Sequence, residues 1–289
     1  RTMPFYELLQ QASRKDVSCL PDLLAGECKK PHLPIFSRFP IVHGPAMEGQ
    51  MLDFLGISYP LDAECAEKQY ALYAPGRTTT CEYFQQGLTL PRLYPILDEE
   101  YLEWSDVLTT AFEAAKRGHG LRMAELGSGP YGLWGARAAK AFLRHAPPEL
   151  PCELLLVEPF EGGDGSELRR HVERNFPTGR CKFVMHTEPL NTPHQLQALL
   201  ADGDLWDLVD VDIQGAEHPT LQGLFGWLLG RARRLHLSTH TRQIHFDFLK
   251  QLPEAGWEVV AHYPTLSLKG LSDLGLGRFT NADGHITAV

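Results

Sequence analysis

The chain has 289 residues, 43% of them hydrophobic and 22% charged, with a formal net charge of −9 at pH 7. This composition suits a soluble globular protein that can bury a core without disulfides or metals. It excludes broad basic surfaces, so neither nucleic acid nor an anionic membrane is expected as a partner.

No apolar run reaches the roughly eighteen residues that span a bilayer, and no charged-then-apolar leader opens the sequence. The six cysteines, Cys19, Cys28, Cys65, Cys81, Cys152 and Cys181, form no C-x-x-C pair. Free thiols in a reducing, cytoplasmic setting are therefore expected.

Up to about residue 95 the strand signals are weak, and prolines and aromatics are scattered. Helical patterns over 4–15 and 63–73 suggest a mainly helical N-terminal extension (residues 1–95), acting as a lid, a substrate contact or a dimer contact. Asp98 is a candidate N-cap for a helix over 99–116. From about residue 120, short apolar runs alternate with helical stretches, which marks a parallel sheet covered on both faces. The runs 121–126, 153–158, 182–186, 206–213, 234–239, 257–262 and 285–289 are seven strand candidates. Helices are expected over 133–145, 166–175, 193–200, 219–229 and 244–252. The last connection has no helix, so an antiparallel strand should end the sheet. Residues 96–289 thus read as one Rossmann-like α/β domain.

Three segments at strand ends carry the chemistry. The first is Glu125-Leu126-Gly127-Ser128-Gly129-Pro130, where glycines permit a tight turn and close approach of a ligand. A carboxylate at Glu125 disfavours a phosphate and favours a cationic ligand such as S-adenosylmethionine. The second is Glu158-Pro159, an acid at the end of the next strand, suited to two ribose hydroxyls. The third is Asp210-Val211-Asp212-Ile213-Gln214-Gly215-Ala216-Glu217. Alternation puts Asp210 and Asp212 on one face of the strand, and buried carboxylates need partners or a function.

Together ELGSGPYG, VEPF and DVDIQGAE resemble the FkbM-type family of S-adenosylmethionine-dependent methyltransferases, over about residues 90–289. The resemblance implies a class I methyltransferase sheet of seven strands with helices on both faces. It also implies S-adenosyl-L-methionine as cofactor, S-adenosyl-L-homocysteine as product, and transfer to a hydroxyl of a small or carbohydrate-like acceptor. Gln214 replaces the commoner Glu, and the third glycine, Gly132, falls one place late.

Within that reading Glu125, Gly127, Ser128 and Gly129 face the methionine end of the cofactor. Glu158 and Pro159 face the ribose, Thr187 borders the adenine, and Asp210 belongs to the same floor. Asp212, His240 and His245 are the candidates for orienting and deprotonating the acceptor, and Arg242 could meet an anionic group on it. His236 reads as structural. No metal is assigned, although carboxylates with His240 could hold a divalent ion in place of the base. A homodimer stays open. The competing readings are an NAD-dependent oxidoreductase, which Glu125 argues against, and a methyltransferase-like binding module without catalysis.

Overall fold

A strand buried on both faces tends to read as an apolar run; Cys152–Val157 comes nearest to that, while Leu121–Leu126, Leu208–Val211 and Leu235–Thr239 bury polar residues as well. The structure is a computed structural model describing residues 34–42, 50–60, 100–159, 165–177, 179–264 and 283–289. Its elements, in chain order, are a 3₁₀ turn (Phe36–Arg38), β1 (Gln50–Leu52), β2 (Ser58–Pro60), α1 (Tyr101–Arg117), β3 (Leu121–Leu126), α2 (Leu133–His145), β4 (Cys152–Val157), α3 (Ser166–Asn175), β5 (Lys182–His186), α4 (Pro193–Leu200), β6 (Leu208–Val211), α5 (Glu217–Leu221), α6 (Phe225–Leu229), β7 (Leu235–Thr239), α7 (Arg242–Glu254), β8 (Val259–Tyr263) and β9 (Gly284–Ala288).

Seven strands form one sheet in the order β5-β4-β3-β6-β7-β9-β8. Strands β3 to β7 are parallel, and β9 runs antiparallel between β7 and β8. This is the Rossmann-like class I methyltransferase arrangement, and it places the strand-end segments along one edge. The order reverses direction between β3 and β6, so the crevice for a ligand lies above these two strands. Strands β6, β7 and β9 are buried throughout, whereas β5 at the edge is partly exposed.

Two apolar layers sandwich the sheet. One holds Val107, Leu108 and Ala111 of α1 against Ala138, Ala139 and Phe142 of α2. The other holds Leu196 and Leu200 of α4, Phe225 and Leu228 of α6, and Phe248 and Leu252 of α7. Thr192 and Thr241 cap α4 and α7 by accepting from the backbone N–H of Gln195 and Ile244.

Several expectations shift. The helix expected over 219–229 is two short helices, because Gly223 turns the backbone to φ +74° between them. The strand expected over 206–213 is only Leu208–Val211, preceded by an isolated bridge from Trp206 to Ala232. The helix before β3 starts at Tyr101, with Glu100 at the cap position and no side-chain cap; Asp98 and the stretches 4–15 and 63–73 lie outside the described residues.

The described part of the first 95 residues is a hairpin and a 3₁₀ turn rather than helix, and it shares the core of α1 and α2 through Phe36, Phe39, Phe54 and Ile57. Arg137 of α2 pins the hairpin. Its guanidinium lies 4.1 Å from the Trp104 ring centre and 4.3 Å from that of Trp134, and it pairs with Asp53 at 3.3 Å. Asn175 of α3 accepts from Ser58 N and donates to Ser58 O, both at 2.8 Å.

The free-thiol expectation fails for two cysteines. Cys152 opens β4 and Cys181 immediately precedes β5, so parallel pairing of the two strands brings their Cα atoms to 4.5 Å, and they form a disulfide. The other four cysteines lie outside the described residues. No helix among the described residues is long and apolar enough to cross a membrane.

Candidate functional site

The turn after β3 is wedged between the ends of β4 and β6. Gly127 and Ser128 donate their N–H groups to Val157 O at 2.8 and 2.9 Å, while Asp212 N donates to Leu126 O at 2.8 Å. Gly127 has φ +89°, and a Cβ there would collide with the Asp212 carbonyl oxygen. Only glycine lets the two strand ends approach so closely. Ser128 is buried within this turn.

Glu125 does not point into the crevice. Its carboxylate accepts from Gly135 N at 2.7 Å and Trp134 N at 3.3 Å, so it holds the first turn of α2. Burial, with the nearby Asp210 charge, pushes its carboxyl well above the usual range despite these backbone donors. Glu125 therefore shapes the loop from beneath.

Glu158 reaches across the loop from the end of β4. Its carboxylate accepts from Gly129 N at 2.8 Å, and its own N–H donates to His186 O at 3.0 Å. The half-buried Glu158 and exposed Pro159 border the crevice, and Thr187, also exposed, directly follows β5 on the same edge.

The third segment makes a tight knot. Gln214 adopts φ +51°, which is uncommon for a residue other than glycine. This turn carries the Gln214 amide back to donate to Asp212 Oδ1 at 2.9 Å. Glu217 is fully buried, and its Oε1 accepts from Ile213 N and Gly215 N at 3.1 and 3.0 Å.

His240, immediately after β7, sits among carboxylates. Its Nδ1 lies 2.9 Å from Glu217 Oε1, and its Nε2 lies 3.3 Å from Asp212 Oδ1 and 3.7 Å from Asp283 Oδ2. Burial alone would lower its pKa, but Glu217 first, then Asp283 and Asp212, raise it to about 9. Burial lifts Asp212 to about 6, with His240 opposing. Burial works to raise Glu217, but His240 and the Gly215 N–H bring it below the usual range. Asp212, Glu217 and His240 are close enough to hold a metal ion. Both ring nitrogens nevertheless face carboxylates, which suits an imidazolium rather than a ligand.

Asp210 and His245 lie apart from this group. Asp210 is 1% exposed and stands in register with Glu125 on β3 and His236 on β7, inside the sheet. His245 is buried, with Nδ1 2.9 Å from Thr239 Oγ1 and Nε2 3.4 Å from His262 Nδ1. Burial, with the neighbouring His262 and Arg242, drops its pKa to about 4, so its ring is neutral. Arg242 lies over the exposed Phe246 ring, 5.8 Å from its centre.

Sequence reasoning missed Asp283 and the direct part of Glu217. The Asp283-Gly284 turn was visible, but only the antiparallel pairing of β9 with β7 brings it to His240. A further signal is the absence of bases: residues 123–136, 154–168 and 208–230, which contain all three strand-end segments, hold Glu125, Glu158, Asp210, Asp212 and Glu217 but no Lys or Arg.

No family model and no curated protein matches the chain. Among solved structures it is similar to the METTL16 MTase domain at 13% identity, covering 83% of this chain and 85% of that one with a TM-score of 0.45. It is also similar to a putative O-methyltransferase from Klebsiella pneumoniae at 14% identity, covering 77% and 95% with a TM-score of 0.40. A third is a putative RNA methyltransferase from Pyrococcus horikoshii at 14% identity, covering 63% and 79% with a TM-score of 0.35. The fold is defined by the strand order itself, and identities this low say nothing of the substrate.

Proposed function

We propose that the chain is an S-adenosylmethionine-dependent methyltransferase of FkbM type, acting on a hydroxyl oxygen of a small or carbohydrate-like acceptor. The observation that carries this reading is the strand-end edge, where the partly exposed Glu158 and Asp212 stand and where no Lys or Arg falls within the three segments. A pyrophosphate would be repelled there, whereas a ligand with an ammonium, a sulfonium and a ribose diol finds complementary groups. The same edge disfavours a polyphosphate backbone as acceptor.

When bound, S-adenosylmethionine supplies a methyl group already activated on sulfur, leaving alignment and proton removal to the protein. Glu158 is placed to accept from the ribose hydroxyls, with Pro159 and Thr187 bordering the base. Gly127, Ser128 and Gly129 bring the backbone close to the amino-acid end, and Glu125 and Asp210 hold that floor from below. Asp212 is the base for the acceptor hydroxyl, since about 6 is a pKa matched to neutral operation. His240, protonated at neutral pH, keeps Asp212 and Glu217 in place and lends positive charge to the developing alkoxide. His245 supports the end of β7 through Thr239.

Isothermal titration with S-adenosylmethionine, S-adenosylhomocysteine and NAD tests this. Binding of the first two, weakened in Glu158→Ala, is the expected result. A folded sample that binds neither sulfur compound would sink the reading, and uptake of NAD alone would move it to the oxidoreductases. Binding without turnover across a panel of hydroxylated acceptors would favour a non-catalytic module.

A further inference from the structure

Beneath the crevice lies a second polar cluster, where α1 crosses β6, β7 and β9. It contains Glu103 and Asp106 of α1, Asp210 of β6, His236 of β7, and His285 and Thr287 of β9, all buried. One of its contacts is short of a charge. Glu103 and Asp210 face each other at hydrogen-bonding range, a carboxylate pair that can join only through a proton or a cation. Glu103 Oε1 and Asp210 Oδ1 have no donor among the described residues. Beside them His236 Nε2 and His285 Nδ1 lie 2.8 Å apart, a hydrogen bond between two nitrogens that are both able to ligate a metal.

Arg234 is committed to Asp106 at 3.1 Å, and Thr287 donates to Asp106 at 2.5 Å. Thr110, the other polar side chain buried on α1, brings no charge, and Glu125 adds a further carboxyl in register with Asp210. Isolated carboxylates are costly to bury, and such clusters are usually paired or bind a metal.

The geometry already resembles a metal site. Glu103, His236 and His285 each present a ligand atom, and these lie within 4.8 Å of one another. The other nitrogen of His236 is oriented by the Asp106 carboxylate at 2.7 Å. That carboxylate–histidine pairing is the outer-shell support that fixes a ligating imidazole. Two imidazoles with carboxylate oxygens suit a borderline divalent ion better than Mg²⁺ or Ca²⁺.

We propose that Glu103, His236 and His285 bind one divalent transition metal, zinc first among them, with Asp210 as the fourth ligand. The ion replaces the proton between Glu103 and Asp210, which is released on binding, and it takes the place of the His236–His285 hydrogen bond, with His285 carrying its one N–H on the other ring nitrogen; it ties α1 to both halves of the sheet. Being interior, it is structural and is taken up on folding. This holds independently of which cofactor the crevice accepts.

The test is the metal content of the purified full chain by mass spectrometry, followed by refolding with Zn²⁺ or Co²⁺. The expected result is one ion per chain and a Co²⁺ visible spectrum typical of four-coordinate nitrogen and oxygen ligation. Glu103→Gln and His285→Gln should lose it, while Asp106→Asn should weaken binding by roughly 10- to 100-fold. Asp212→Asn should keep it, which separates this cluster from the one around His240. A folded chain that holds no metal and takes none up on refolding overturns the proposal and leaves a proton-bridged network. Metal lost in Asp212→Asn but retained in Glu103→Gln overturns it equally.

Discussion

At the scale of single residues, His240 is the group whose environment most departs from the ordinary. Its folded-state pKa of about 9 stands above the usual 6.5, so the stabilisation it provides is complete below 6.5 and lost as pH rises through about 9. The melting temperature of the wild type should fall between pH 7 and 10, with His240 contributing a loss on the order of 3 kcal/mol at most, and His240→Gln should fall less over that window. An imidazole titration near 6.5 by NMR would refute this account of the ring. Asp212 and His240 were legible in the sequence because each directly follows an apolar strand. Asp210 was legible only as an acid: that it turns inward to Glu103 depends on a helix lying across the sheet, and no local pattern encodes that crossing. Glu125 was likewise read as facing the ligand, while its real partners, the N–H groups of α2, became evident only with the helix in place.

Among elements, the hairpin of β1 and β2 is the least expected. Three-residue strands carry no periodicity, so nothing in residues 50–60 announced them; only tertiary partners on α2 and α3 make them hold. The pair Arg137–Asp53 is almost fully buried. Arg137→Met should leave the Asp53 carboxylate without its partner and cost about 3–5 kcal/mol. The double variant Asp53→Asn/Arg137→Met should recover part of that loss. Urea unfolding measures both, and a single variant as stable as wild type would show that the hairpin contributes little. By contrast, β3, β4 and β7 were readable because their apolar residues fall in short runs between helical stretches, even though Glu125, His236 and Thr239 are buried polar exceptions within them. The helix over 219–229 was misread because its apolar spacing continues through Gly223, where the chain turns. We propose that residues 34–42 and 50–60 be counted with the methyltransferase-like domain rather than with a separate extension.

For the molecule as a whole, the disulfide bears on both stability and setting. Cysteine spacing gave no hint of it, since Cys152 and Cys181 meet only through the pairing of β4 with β5. Its reduction should cost roughly 2–4 kcal/mol, seen as a lower melting temperature in reductant and in Cys152→Ser/Cys181→Ser. Thiol labelling of the native protein should miss both residues until they are reduced; prompt labelling would remove the bond from the account. The expectation of a reducing setting rested on free thiols and loses that support. The placement of β9 has another consequence. Among the described residues strand β8 joins the sheet solely through β9, which follows it in the chain and threads between it and β7. A ribosome delivers the polypeptide from its N-terminal side, so β8 emerges before the strand it pairs with in the finished sheet, while the edge of β7 is still open. Asp106 likewise waits for Thr287, 181 positions later. Until β9 leaves the exit tunnel the nascent chain carries an open seam through its sheet, and a chaperone that covers exposed strand edges would find its target there.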